Sequence, residues 1–243
     1  MGQPGIIVQG RMGSTRLPGK VLMDIAGAPA LVRLFERLRR VKSMPAIVLA
    51  TSDLSGDDPI AEIVSAQPGV SLWRGPEQDV LKRYADAACH FDFDPIIRIT
   101  ADNPLTDADL IAEVLDFFRS APNCDYADNI HPRVVPYGLG IQIVSQRALL
   151  QTAAEAVAAS DREHVLTYVF NNQQRFRCLF LPAGSPRGAD LRLTLDFPED
   201  LTVIRAIYDR LYPTNPQFTL ADILELRQRE PEIFEANRMR TIS

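Results

Sequence analysis

The amino-acid sequence predicts an α/β fold with a mostly parallel, twisted sheet and helices on both faces, and three observations carry that expectation. Short apolar runs such as Gly5-Ile6-Ile7-Val8-Gln9 and Ala46-Ile47-Val48-Leu49-Ala50 are continuous, not alternating. Strands buried on both sides read this way. Stretches with apolar residues at helical spacing separate these runs, as right-handed crossovers between parallel strands require. A glycine-rich turn directly follows the first run, at the edge where such sheets bind ligands.

Taken in order, Gly5–Gln9 is the first strand, bounded by Pro4 and Gly10. Residues 28–41 form a helix with Pro29 in its first turn and Leu31, Leu34, Phe35 and Leu38 on one face. Residues 46–50 are the second strand, 59–64 a short helix and 70–73 the third strand. Residues 77–89 are helical, with Val80, Leu81, Tyr84 and Ala88 inward, and 95–100 are the fourth strand. Thr106-Asp107-Ala108-Asp109 opens the next helix as a capping box, ahead of Leu110, Val114 and Phe118. From about residue 123 the rhythm changes. Strands are expected over 125–129, 140–144, 176–181 and 192–195, with helices near 146–158, 161–172, 198–211 and 219–237. No repeat, low-complexity tract or linker interrupts the chain, so residues 1–243 are expected to form one domain.

Composition narrows the function. Hydrophobic residues make up 46% and charged residues 23% of the 243, which excludes a wholly disordered chain. With 26 Lys+Arg against 31 Asp+Glu, the net charge of −5 argues against nucleic-acid binding. Cys89, Cys124 and Cys178 are too few and too scattered for a disulfide framework or a zinc knuckle. No run of 18 apolar residues and no signal-peptide stretch occurs, so a cytoplasmic protein without membrane contact is expected. Residues 1–23 stand out, because they hold Arg11, Arg16 and Lys20 but no acid.

Those cations share the segment Gln9-Gly10-Arg11-Met12-Gly13-Ser14-Thr15-Arg16-Leu17-Pro18-Gly19-Lys20. Glycines let backbone N–H groups cradle phosphate oxygens, and guanidinium forks grip them. The spacing fits neither the Walker A loop nor GxGxxG; the plain alternative is an exposed basic turn. Asp102 ends the fourth strand in Arg98-Ile99-Thr100-Ala101-Asp102-Asn103-Pro104, where it either ligates Mg²⁺ or caps a turn. Asp196, in Leu195-Asp196-Phe197-Pro198-Glu199-Asp200, ends another predicted strand just before a helix, where acids also serve as caps. Together the two could hold Mg²⁺ against a triphosphate. Thr51-Ser52-Asp53 and Asp79 either line a base or sugar pocket or act as caps. Asp92 and Asp94 read as a solvated turn. The histidines have no zinc spacing, and no GxSxG elbow is present.

Val8 to Leu22 resembles the nucleotide-binding signature of sugar-activating cytidylyltransferases, the spore coat polysaccharide biosynthesis branch above all, except that Gly10 stands where the pattern has Ala. Thr51-Ser52, Gly75 to Tyr84, Arg98 to Asp102, Arg162-Glu163-His164-Val165 and Asp196 to Leu201 extend the resemblance over residues 5–211. It implies a Rossmann-like nucleotidyltransferase fold that uses CTP with Mg²⁺, or Mn²⁺, and releases pyrophosphate. By motif position it implies catalytic Arg11, Arg16, Lys20 and Asp102, and metal ligands Asp102 and Asp196. The nucleotide contacts it points to are Gln9, Gly10, Gly13, Ser14, Thr51, Ser52 and Asp79. Residues 1–122 would be the nucleotide half and 123–243 the acceptor half, with a homodimer expected from resemblance alone. Where the family carries Gly-Leu-Asp-Val-Glu, this chain has Gly138-Leu139-Gly140-Ile141-Gln142. Two carboxylates are thereby lost, and the acceptor is left open. A glycosyltransferase on a related fold, or a silent nucleotide-binding subunit, are the alternatives.

Overall fold

The computed structural model describes residues 2–42, 45–182 and 187–240. The first strand, β1 (Gln3–Gln9), lies between β4 (Ala46–Ser52) and β6 (Phe93–Thr100), parallel to both. β5 (Val70–Gly75) extends the sheet beyond β4, also in parallel. On the other side, β8 (Gln142–Val144) runs antiparallel to β6 and to β7 (Tyr126–Asp128). β9 (Cys178–Phe180) closes that edge parallel to β7. The seven-stranded order is β5-β4-β1-β6-β8-β7-β9, so strands from both halves of the chain share one sheet.

Alternation along each strand divides the core. Ile6 and Val8 face one side and Ile7 the other, and Ile47 and Leu49 likewise oppose Val48 and Ala50. Helices α1 (Ala30–Leu38), α2 (Asp58–Ser65), α4 (Ala108–Ser120), α8 (Pro198–Leu211) and α9 (Leu220–Arg229) cover the first face. Helices α3 (Val80–His90), α5 (Gln146–Glu155) and α7 (Thr167–Asn171) cover the second. Each buried Leu or Ile contributes roughly 1.5–3 kcal/mol by leaving water. Both faces need such residues, which is why the strands read as unbroken apolar runs.

The order of strands creates the site. The chain steps from β1 outward to β4 and β5, then α3 returns it to β6 on the far side of β1. The crossovers diverge at the carboxyl ends of β1 and β6, leaving a crevice there.

Several elements differ from expectation for local reasons. Ala28–Pro29 (β3) pairs antiparallel with Asp24–Ile25 (β2), so α1 starts at Ala30 with Pro29 before it. Asp92 is an exposed turn residue as expected, but Phe93 is fully buried and Asp94 accepts a bond from the Gln146 N–H, so from Phe93 on this segment is strand. The expected helix over 161–172 is two: α6 (Ala159–His164) and α7, separated where Val165 takes φ 60°. Residues 192–195 form no strand. Their amides are shared between neighbours, Leu193 N donating to Tyr137 O and Leu195 N to Asp102 O, and only one bridge, Tyr137 to Arg192, results. The final helix stops at Arg229, and Pro231–Glu235 is a 3-10 turn.

Candidate active site

Gln9, the last residue of β1, sits in register with Ala50 of β4 and Thr100 of β6. The chain beyond it therefore emerges inside the crevice. Gly10 N donates to Ala50 O, and Ala101 N donates to Gln9 O at 2.8 Å. This pairing brings residues 10 and 101 so close that a Cβ on Gly10 would stand 2.9 Å from the Ala101 Cβ. Glycine at position 10 avoids that contact.

The loop from Gly10 to Gly19 folds about the Met12 peptide. Met12 O accepts from Ser14 N at 3.0 Å and from Gly19 N at 3.4 Å. Met12 N donates to Asp57 Oδ1 at 2.6 Å. Gly19 takes φ 68°, a left-handed turn that glycine enters without strain, and launches Lys20 into a 3-10 turn.

Lys20 joins the ends of distant segments. Its ammonium donates to Asp102 Oδ2 at 2.6 Å and to Asp196 Oδ1 at 2.7 Å. Arg16 Nη2 also lies 3.2 Å from Asp196 Oδ1, while Arg192 Nη2 donates to Asp196 Oδ2 at 2.8 Å. Burial pushes the Asp196 carboxyl up, but Lys20, Arg16 and Arg192 outweigh it and hold the group below its usual 3.8. Burial opposes charge on Lys20 too, yet Asp102 and Asp196 leave its pKa raised. Thr100 Oγ1 donates to Asp102 Oδ1 at 2.6 Å, fixing the other oxygen.

A second tier holds Asp196. Asp200 Oδ2 accepts from the N–H groups of Asp196 and Phe197, both at 3.0 Å, the half of a capping box that an acid in the first turn supplies. Asp200 Oδ1 accepts from Arg192 Nε at 3.0 Å and from Asn237 Nδ2 at 2.9 Å. Arg16, Arg192 and Arg240 surround the Phe197 ring, with guanidinium carbons 5.1, 5.5 and 4.3 Å from its centroid.

Two adjoining cavities open on this cluster. One, of about 380 Å³, is lined by Gln9, Gly10, Arg11, Gly13, Ser14, Arg16, Lys20, Asp102 and Asp196, with Glu163 on its rim. These nine are residues nominated from the sequence; Thr15, Val21, Thr100 and Ala101 complete the lining. The other, of about 350 Å³, shares Arg16, Thr100, Asp102 and Asp196 with the first and adds Arg98, Arg133, Tyr137, Gln142 and His164. Helix α6 thus sends Glu163 to one cavity and His164 to the next.

Three nominated residues lie outside the first cavity's lining. Thr51 and Ser52 are buried, and their hydroxyls donate to Asp57 Oδ2. Asp79 caps α3 by accepting from Lys82 N at 2.9 Å and receives Arg162 Nη2 at 2.6 Å, tying α6 in place. Asp57, Arg192, Arg98 and Arg133 are not nominated from the sequence. Asp57, Arg98 and Arg133 act with partners or a cavity built from other segments, whereas Arg192 bonds Asp196 and Asp200 four and eight positions on; only Asp57, beside Asp58-Pro59, carries a local helix-start signal.

The altered segment is also self-consistent. A Cβ on Gly140 would approach Ile130 Cγ2 to 2.5 Å. Gln142 Oε1 accepts from Arg98 Nη1 at 2.8 Å, and its Nε2 donates to Tyr126 Oη at 2.7 Å.

Comparison with known proteins accords with this geometry. The cytidylyltransferase family profile matches residues 5–239. The spore coat polysaccharide biosynthesis protein SpsF of Bacillus subtilis is 33% identical over 232 residues, spanning 93% of this chain and 94% of its own. A cytidylyltransferase structure from Leptospira borgpetersenii superposes with TM-score 0.91 at 30% identity, covering 100% of both chains. A CMP:2-keto-3-deoxy-manno-octonic acid synthetase solved with CTP shares the fold, with TM-score 0.65 at 19% identity, covering 86% of this chain and 99% of that one. The chain belongs to the cytidylyltransferase family, with a Rossmann-like fold, and is a CTP-dependent nucleotidyltransferase.

Proposed function

We propose that the protein transfers CMP from CTP to a small anionic acceptor of the sugar-acid class, releasing pyrophosphate. In this reading it works in the cytoplasm, as one domain with a nucleotide half and an acceptor half, and serves surface polysaccharide synthesis. The observation that carries the proposal is the convergence of Lys20, Asp102 and Asp196 between two cavities, one floored by the glycine-rich loop and the other rimmed by arginines.

Asp102 and Asp196 suit Mg²⁺ or Mn²⁺ as a donor set. Both carboxylates already point at one cation, the Lys20 ammonium, so together they could hold a divalent one. Mg²⁺ commonly binds through one or two carboxylates and completes its shell with water and substrate phosphates. When bound, the metal supplies charge neutralisation and polarisation of phosphate oxygens.

This chain's own residues do the rest. Arg11, which forms no ion pair among the described residues, and Arg16 and Lys20 offset triphosphate charge. An acceptor hydroxyl oxygen bonds to the α-phosphorus while the bond to the bridging oxygen breaks. The electron pair leaves with pyrophosphate, and the hydroxyl proton passes to solvent. In the second cavity Arg98 has a neutral partner, Gln142, and a buried Nε without a hydrogen bond. With Arg133 and His164 nearby, that charge favours a carboxylate or phosphate on the acceptor.

The test is pyrophosphate release from CTP, ATP, GTP and UTP with Mg²⁺ across a panel of sugar acids and neutral sugars. CTP with an anionic acceptor is expected to react best. Equal use of all four triphosphates overturns the base assignment, and CTP binding without turnover on any acceptor favours a silent subunit.

A further inference from the structure

We infer that Asp57 is a positioning residue that sets the phosphate loop for CTP, an inference that rests on reading residues 10–20 as the triphosphate cradle. Asp57 is 4% exposed and forms no ion pair among the described residues. Its carboxylate is instead used up by hydrogen-bond donors. Oδ1 accepts from Met12 N at 2.6 Å; Oδ2 accepts from Thr51 Oγ1 at 2.9 Å, from Ser52 N at 3.2 Å and from Ser52 Oγ.

These bonds connect the end of β4 to the middle of the loop after β1. Met12 is the loop's hub, because its carbonyl also accepts from Ser14 and Gly19. Holding the Met12 N–H therefore fixes the orientation of the peptide planes on either side. Those planes belong to Arg11 and Gly13, which line the cavity. The N–H groups of Arg11, Gly13, Thr15 and Arg16 have no protein partner among the described residues. They are donors left over for phosphate oxygens, aimed in part by the bond that ties the middle of the loop to Asp57.

Charge is essential at position 57. An amide there has one acceptor oxygen for donors on both sides. Whichever way it turns, its Nδ2 faces either the Met12 N–H or the Ser52 N–H, donor against donor. Asp57→Asn should consequently release the loop while preserving size and shape.

The experiment measures CTP and CMP binding by calorimetry in wild type and Asp57→Asn, together with hydrogen exchange across residues 10–19. The variant is expected to bind CTP about tenfold more weakly, the scale of one lost charge-assisted hydrogen bond. CMP, lacking the β- and γ-phosphates, should lose much less, and loop exchange should quicken while exchange in the sheet does not. A merely structural role would slacken the sheet and both ligands alike. Should Asp57→Asn fail to fold, the Ser52→Ala variant, which removes one donor and keeps the carboxylate, is expected to show a weaker form of the same CTP-selective loss. Variants that match wild type for CTP overturn the inference alone. Failure of wild type itself to bind CTP overturns the reading of the loop and the inference with it.

Discussion

The Lys20 ammonium sits 2.6 Å from Asp102 Oδ2, although 82 positions separate them in the chain. It also reaches Asp196, so one cation bridges two carboxylates that line both cavities. Lys20→Met should cut CTP turnover by about 10²–10³, the usual scale for loss of a transition-state charge contact. In this variant Asp102 loses its only ion-pair partner among the described residues, while Asp196 keeps Arg16 and Arg192. Mn²⁺ added without nucleotide is then expected to raise the melting temperature more than it does in wild type. Equal shifts would show that the ammonium is not standing where the metal goes. Asp102→Asn should abolish metal-dependent turnover with the fold intact by circular dichroism, and wild-type turnover would refute a metal role.

Gly10 and Ala101 form a matched pair. Gly10→Ala places a Cβ 2.9 Å from that of Ala101, and such overpacking typically costs about 1–3 kcal/mol. Ala101→Gly added to it should recover most of the loss. A double-mutant cycle by urea unfolding measures the coupling, and strict additivity would show that the loop adjusts elsewhere.

Asp57 makes a pH prediction. Burial raises its pKa, but the hydrogen bonds from Met12, Ser52 and Thr51 outweigh burial and leave it below the usual 3.8. A depressed native pKa contributes stability that is complete above the unfolded value and is lost as pH falls through the native one. The stability difference between wild type and Asp57→Asn should therefore be largest near neutrality and shrink on acidification below 3.8. Denaturant melts across that range measure it. A difference that does not change with pH would mean that the bonds to Asp57 do not depend on its charge.

Gln142→Glu tests the second cavity. A carboxylate opposite Arg98, its register partner on β6, would neutralise the arginine that the amide leaves charged. Acceptor KM for an anionic sugar acid should rise about tenfold, with CTP binding unchanged. An unaltered acceptor KM would remove Arg98 from acceptor recognition.

Legibility followed the range of the interactions. The strands of the first half depend on neighbours within a few positions and lie where expected. The start of α4 lies where expected too, but Asp107 caps it by accepting from Asp109 N and Leu110 N, and the expected Thr106–Asp109 capping box does not form because Thr106 Oγ1 donates to Asn103 O. Residues 192–195 looked equally strand-like, but their amides are divided between Tyr137 and Asp102, which no local pattern announces. Thr51 and Ser52 read equally well as pocket residues or caps from the sequence. Their hydroxyls are spent on Asp57, beneath the loop, a distinction that needs the direction of each side chain.

The sequence by itself determined the alternation of strands and helices and the cationic glycine loop, since backbone period and local charge are written in adjacent residues. It also nominated nine residues that line one cavity, because the loop after β1 and the end of β6 meet at the switch point. Tertiary structure alone decided that Lys20 bridges Asp102 and Asp196, that Gly10 yields to Ala101, and that Asp57 ties down Met12. Each of these is a contact between segments far apart in the chain. Ångström-scale distance and direction settle such contacts, and they exist only once the sheet has brought the strand ends together.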